Sequence, residues 1–466
     1  RAAPDPAFVT VVPRISVQQA FEEQYDARLA DDWTAVGYDD SGWAAATPLR
    51  PAQDGQHRDL APRGIPYLTL EPVLPQRIVS REAVSSLPYR HTVYVKPYLL
   101  PTDLSSNGIA CHAYLATQVW SPSEAQLRFA LPHKAPRALQ VNGQAVSGES
   151  APLRAGWNSL VVSLCGLWHL PEFVLCVDGP AGLRFCARGE EGGSPWAVVG
   201  PFALSEGERQ LAAQNYTSNA LCIAEPLTPG ATRERGLEFW RAGDVPAALG
   251  GPFFQPVRPE HLPAADVFVQ AYTDRPVAGE VTVEHPEAML SEAEWATVHP
   301  APGGADVRLL LDYGREVVGY QRFEIIAPAG TVVDLHNFEF IQPDGRYNYA
   351  EGMNNSCRYI CREGRQAYQT TTRRGFRYTY LILRNLQGPV RLRQVQAVFN
   401  SYPQSRRGAF ACSDARLEQI WQVGAHTLRC CAEDTYTDCP TYEQTHWVGD
   451  ARNEALIDWA INGDPR

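Results

Sequence analysis

Along most of the chain, hydrophobic residues come in short runs of period two, separated by turn residues. Ala138-Leu139-Gln140-Val141 runs into Asn142-Gly143, a pair suited to a two-residue hairpin turn. Leu160-Val161-Val162-Ser163-Leu164, reached through Ala155-Gly156-Trp157-Asn158, reads as another strand, and Tyr38-Asp39-Asp40-Ser41-Gly42-Trp43 is turn chemistry ending in an aromatic. The 37 prolines and 36 glycines recur between such runs. That rhythm belongs to antiparallel sandwiches and not to alternating strand–helix units. Residues 1–255 are therefore expected to form an N-terminal β-sandwich region, jelly-roll-like, of one or two sub-domains. A second sandwich is expected over 256–407. Its strands are Val307 to Leu311 ending in a turn at Asp312-Tyr313-Gly314, then Tyr320 to Ile326, Thr331 to Phe340, Phe376 to Leu383 and Val390 to Phe399, with a turn at Pro328-Ala329-Gly330.

The period changes near residue 410. Leu417, Ile420, Trp421, Gly424, Leu428 and Cys431 are spaced by threes and fours, which is helical. Ser413 suits the N-cap, with Asp414 at the positive end of the dipole. Ala451, Ala455, Leu456, Trp459 and Ala460 form a second helical stretch closed by Gly463. Trp421 and Trp459 read as core residues. The helical start is assigned to 408–466.

At 466 residues the chain has room for two to four domains. Its 41 Lys+Arg and 52 Asp+Glu give a net charge of −11, with no basic block, which disfavours nucleic acid and anionic membrane surfaces as partners. No apolar run reaches the roughly 18 residues of a membrane-spanning helix. The 11 cysteines contain no CxxC pair, so neither a metal site nor another cofactor is called for. Free thiols and the lack of a signal pattern at the start point to a reducing, cytoplasmic setting.

Between the two helices lies a stretch with no regular period, 438–450, holding Asp438, Glu443, His446, Trp447 and Asp450. Pro440 stops a helix there and extends Cys439. Cleaving a glycosidic bond needs one carboxyl that stays protonated and a second carboxylate for water or direct attack. Glu443 sits at the centre of this set. Asp438 and Asp450 are suited to accept sugar hydroxyls, and Trp447 to stack on a ring. Each has a plainer alternative: Asp450 as a helix N-cap, Trp447 as a core residue, the carboxylates as solvated loop groups.

The pattern D-C-P-x-x-E-x-x-x-W-x-G-D at 438–450 resembles the hallmark of bacterial α-L-rhamnosidases of glycoside hydrolase family 78. Asp312-Tyr313-Gly314 with Gly319-Tyr320, and Arg374-Gly375-Phe376-Arg377-Tyr378, resemble strands of that family's sandwich. Phe410 to Asp414 resembles the start of its first barrel helix. Trp33 with Tyr38 to Trp43 resembles its N-terminal sandwich. The resemblance implies an (α/α)6 catalytic barrel and inverting exo-hydrolysis of terminal rhamnose from a glycoside or oligosaccharide. It makes Glu443 the general acid, gives Asp438 and Asp450 the sugar hydroxyls, and lines the pocket with Trp447 and Tyr442. Tyr442 and Gln444 stand where many members carry arginines beside the acid, and Thr445-His446 replaces a commoner Leu-Gly. That departure bears on the sugar more than on the reaction, so a related exo-glycosidase is a second reading, and a non-catalytic carbohydrate-binding assembly a third. Twelve barrel helices need well over roughly 200 residues. The expectation is therefore a truncated barrel in the N-terminal portion of a longer enzyme, with the general base beyond it.

Overall fold

The computed structural model describes residues 7–8, 22–49, 51, 61–102, 108–130, 138–168, 172–189, 192–215, 221–248, 251–263, 266–343, 345, 355–441 and 443–463. The chain divides into two compact units, one built from Ser86–Arg275 and one from Gln18–Ser85 with Pro276–Arg466. This differs from the expected boundary at 255. The strand Phe254–Pro256 pairs with Ala197–Val199 and keeps the chain in the first unit beyond that point. The strands Glu23–Asp26 and Arg77–Ser85, taken from the sequence as part of the N-terminal region, belong to the other unit's sheet.

In the 86–275 unit, a four-stranded and a seven-stranded sheet share one core. Leu127, Leu175 and Val177 of the first meet Leu115, Val119, Leu160 and Val162 of the second. Alternation sends Val161, Tyr114 and Ala116 to the opposite face, where they pack with Phe239 and Trp240. The unbroken Leu-Val-Val run is thus a strand buried on both sides. Phe239 and Trp240 lie on the helix Arg233–Ala242, capped by Thr232 and ended by Gly243 at φ 56°. This helix and Glu206–Asn215 were not read from the sequence. The Asn142-Gly143 hairpin forms as expected, with φ of 52° and 73°.

In the other unit the strand Asp306–Ala327 organises two layers. Residues 306–312 pair with Arg77–Ser85 and Arg374–Arg384, whereas 322–327 pair with Gly364–Gln369 and Val390–Phe399. Leu309 and Leu311 from its first half and Phe323 and Ile325 from its second lie in one core, so the layers form a sandwich. The expected turn at 312–314 is instead an irregularity within this strand. Its register against Arg374–Arg384 shifts after Asp312 and resumes at Val317. Asp312, 2% exposed, holds the kink: Oδ1 accepts the Gly314 N–H at 2.7 Å, and the carboxylate pairs with Arg77 at 2.9 Å and Arg377 at 3.0 Å.

Asp334 is the second buried charge centre. Its carboxylate takes Nε and Nη2 of Arg358, each at 2.7 Å, and Arg384 at 2.6 Å, and Arg384 continues to Asp306 at 2.8 Å. Burial alone raises the Asp334 pKa; the two arginines overcome that and hold it below the usual carboxylate value.

Two helices follow the sandwich, Ala415–Cys430 and Val448–Ile461. The N-cap of the first is Asp414, whose side chain accepts the Arg416 N–H, and not the expected Ser413; aspartate caps as well as serine does. The helices meet through Ala425, Leu428 and Ile461, with Trp421 half-buried against them. Trp459, expected in a core, is 57% exposed beside exposed Leu456 and Ile457. Among the described residues no helix is long and apolar enough to cross a membrane.

Removing one member of a buried ionic network leaves the others uncompensated, typically at about 3–5 kcal/mol. Asp334→Ala is therefore expected to lose about that much in urea unfolding, whereas a neutral change at an exposed residue such as Glu294 is expected to cost less than ~0.5 kcal/mol.

Candidate active site

The segment between the two helices is a loop pinned from within and from below. Cys431 ends the first helix, and Thr437 N–H returns to its carbonyl at 2.8 Å. Asp438 then ties the loop's ends together. Its Oδ1 accepts the N–H of Cys439 at 2.9 Å and of Thr445 at 3.2 Å, while its own N–H reaches the Thr445 carbonyl at 3.1 Å. Gln444 takes a left-handed φ of 50° and donates its amide to the Pro440 carbonyl at 2.7 Å. The residue that departed from the expected arginine is thus used in shaping its own loop. Glu443 N–H meets Cys439 Sγ at 3.2 Å, and its carbonyl accepts the Thr445 hydroxyl at 3.2 Å. The Glu443 residue is half-buried. His446 closes the base, with Nδ1 2.7 Å from Thr435 Oγ1 and 3.1 Å from the Tyr436 carbonyl.

From below, the sandwich meets this loop backbone to backbone. A Cβ on Gly375 would lie 2.2 Å from the Pro440 carbonyl oxygen. Only glycine allows that approach. Beside it, buried Arg374 holds Asn355 at 3.1 Å and Phe376 packs on Tyr313 at 5.3 Å between ring centroids. Thr441 reaches down to the sandwich as well, with Oγ1 2.6 Å from Glu339 and 3.3 Å from Glu316.

Of the residues singled out in the sequence, Asp438 and Glu443 share this loop, Trp447 stands at its end, 48% exposed, and Asp450 is exposed in the first turn of the second helix. The N-cap there is Trp447, so Asp450 is not the cap. Tyr442 lies outside the described residues. Asp438 spends one oxygen on the loop; Oδ2 is enclosed with no hydrogen-bond partner among the described residues. A carboxylate oxygen in that state favours a donor such as a hydroxyl.

The sequence reading missed Glu454. It follows Asp450 by four residues on one helix, which puts the two on one face. Burial, then the charges of Asp450 and Asp438, push its carboxyl up to about 7. Its Oε2 is likewise enclosed without a partner. The i,i+4 spacing was visible in the sequence; the nearness of Asp438 was not. A cavity of about 310 Å³ behind the loop base is lined by Tyr402, Tyr436, Asp458 and Asn462, and includes none of Asp438, Glu443, Asp450 or Glu454.

Comparison with known proteins gives the following. Profiles of three bacterial α-L-rhamnosidase domains match the chain: domain D2 at residues 92–221, the concanavalin-like domain at 304–398 and the six-hairpin glycosidase domain at 405–462. The crystal structure of a family 78 rhamnosidase from Bacillus sp. GL1 superposes with a TM-score of 0.84 at 29% identity, covering 99% of this chain and 48% of that one. An α-L-rhamnosidase of Formosa agariphila is 23% identical over 167 residues, 34% of this chain and 17% of its own length. The chain thus spans about half the Bacillus protein and a smaller share of the Formosa one. It resembles the family 78 α-L-rhamnosidases.

Two outcomes follow from the loop's geometry. Gly375→Ala forces Pro440 away and is expected to cost about 1–3 kcal/mol in denaturant unfolding. Glu454 carries a raised pKa, so its contribution to stability is present below the ordinary glutamate value and lost as pH rises through about 7. Thermal melts of wild type should fall across that interval, and Glu454→Gln should flatten the fall.

Proposed function

We propose that this chain carries the acid-donating side of an inverting exo-α-L-rhamnosidase, which releases terminal rhamnose from glycosides or oligosaccharides. Glu443 is the general acid. Asp438 and Asp450 accept sugar hydroxyls, and Trp447 stacks against the ring. The observation that carries this reading is the closure of the loop on Asp438: one carboxylate oxygen fixes both loop ends, its second oxygen is enclosed with no partner among the described residues, and Glu443 stands between. The family resemblance supports the same assignment.

The proton inventory supports it chemically. Protonating the leaving oxygen needs a carboxyl placed beside other acidic groups and partly shielded from water. Asp438 and Asp450 supply such acidity beside Glu454, on the helix that follows the loop. We read the exposed apolar faces of the two helices, Leu417, Ile420 and Val423 on one and Leu456, Ile457 and Trp459 on the other, as surfaces of an (α/α)6 barrel. The eleven free cysteines fit a reducing compartment.

Hydrolysis of an aryl α-L-rhamnoside and of an unactivated rhamnosyl disaccharide by the native gene product tests the reading. Glu443→Gln is expected to lower kcat on the disaccharide by about 10²–10⁴-fold, the usual worth of a positioned acid. The loss on the aryl substrate should be smaller, because its leaving group needs less protonation. Turnover unchanged on both removes Glu443 from the role. Proton NMR of the first-formed sugar reads the anomer, which must be inverted.

A further inference from the structure

Beneath the loop, the kink in the long strand brings Glu316 near Glu339, which follows Val332–Phe338 on the far side of Arg374–Arg384. One hydroxyl lies between their carboxyl groups. Thr441 Oγ1 is 2.6 Å from Glu339 Oε1 and 3.3 Å from Glu316 Oε1. A hydroxyl has one hydrogen to give and lone pairs to receive. It can donate to one of these oxygens. The other completes a hydrogen bond only if it carries a proton and donates it to Thr441.

The charges around the pair point the same way. Glu316 is faced by Glu339 from the end of Val332–Phe338 and by Thr441 from the loop. The strand Arg374–Arg384 presents Arg377, and the helix Ala415–Cys430 presents His426 and Cys430. Arg377 already holds Asp312 at 3.0 Å. His426 donates Nε2–H to the Glu316 backbone carbonyl at 2.7 Å, and burial lowers its pKa, so it stays neutral. Burial raises the Cys430 thiol, which also stays neutral. Among the described residues, two carboxylates therefore meet with one arginine that is already engaged. Burial first, and then the Glu339 charge, raise Glu316 well above the usual glutamate range, against the pull of Thr441 and Arg377.

We propose that Glu316 and Glu339 are positioning residues that hold one proton between them through Thr441, and so latch the loop that carries Glu443. The proposal rests on the reading of Glu443 as the acid for its consequence in catalysis, and on the hydroxyl geometry for the latch itself. Thr441 stands two residues before Glu443 and one after Pro440, whose carbonyl is seated against Gly375. The backbone contact sets the height of the loop, and the shared proton ties down its side. A carboxyl with a raised pKa contributes fully below its ordinary value and loses that contribution as pH rises through the raised one. The latch is therefore closed below the ordinary glutamate range and opens as pH rises through the raised value, when two negative charges face one hydroxyl.

Hydrogen–deuterium exchange of the 438–447 peptide, corrected for intrinsic rates, reads the latch from pH 4 to 9 in the native gene product. The pH profiles of kcat and KM on an aryl rhamnoside read its effect on turnover. Wild type is expected to lose about tenfold in protection along one limb of rising pH, with kcat falling on the same limb and KM steady. Glu316→Gln keeps a donor toward Thr441 but cannot ionise, so the limb should vanish from the exchange readout, and kcat should keep only the limb set by Glu443 itself. Thr441→Val should lower protection about tenfold at every pH, and Thr441→Ser should restore it. A Glu316→Gln profile matching wild type, or Thr441→Val protection matching wild type, overturns the latch. Protection behaving as expected in a protein that hydrolyses no rhamnoside refutes the functional reading and leaves the latch standing. Glu443-dependent hydrolysis with pH-independent protection does the reverse.

Discussion

The loop of the candidate site is seated by a contact that has no side chain in it. Gly375, on a central strand of the sandwich, brings its backbone against the Pro440 carbonyl at a separation no Cβ would tolerate. Close packing leaves no room to adjust such a contact by rotamer changes, so the loop's position follows from the strand's position. The strand in turn is fixed on one edge by the kinked half of Asp306–Ala327 and on the other by Val332–Phe338. Phe376 and Arg377, next along the same strand, reach Tyr313 and Asp312 in the kink. The order of the chemistry thus descends from sheet register, through one glycine, to the loop.

Arginine supplies the cations that this arrangement needs. The chain has only two lysines, Lys96 and Lys134. Two buried carboxylates of the sandwich are each met by two arginines, Arg77 and Arg377 at Asp312, Arg358 and Arg384 at Asp334. A fork satisfies a carboxylate in a fixed plane, where an ammonium offers a point charge. These centres lie at the kink and between adjoining strands, where a small misalignment would displace the register above them. At the loop the balance reverses. Burial and the charges of Asp450 and Asp438 raise the carboxyl of Glu454.

Local patterning made some of this legible and left the rest dark. Val390–Phe399 lies on its expected bounds, since its apolar run is buried along its length. Both C-terminal helices followed from spacing, with their ends moved by a few residues. The turn read at Asp312-Tyr313-Gly314 proved to be a kink, because what holds the strand on course is Arg77, far away in sequence, and no local window contains it. The helix Arg233–Ala242 hid behind Gly236 at its centre. That glycine is there because a Cβ would lie 2.8 Å from Phe202, a contact visible only in three dimensions. The motif residues Asp438, Glu443, Trp447 and Asp450 are local in sequence and were found by pattern. Glu316, Glu339 and Glu454 act through neighbours distant in sequence, and pattern passed over them.

The sandwich is discontinuous in sequence, and this sets a timetable on the ribosome. Arg77–Ser85 pairs with residues 306–312, across the whole of Ser86–Arg275. At about 5–20 residues per second, the intervening unit takes roughly 10–40 s to emerge, and it can complete its own sheets in that time. The early strand waits throughout with an open edge, the state most exposed to mispairing with another nascent chain. Its sequence, Arg77-Ile78-Val79-Ser80-Arg81-Glu82-Ala83-Val84-Ser85, carries three charges among its apolar residues. Glu82 later pairs with Arg308 and Arg77 with Asp312. The same charges that bond the finished sheet keep the unfinished strand soluble while its partner is still being made.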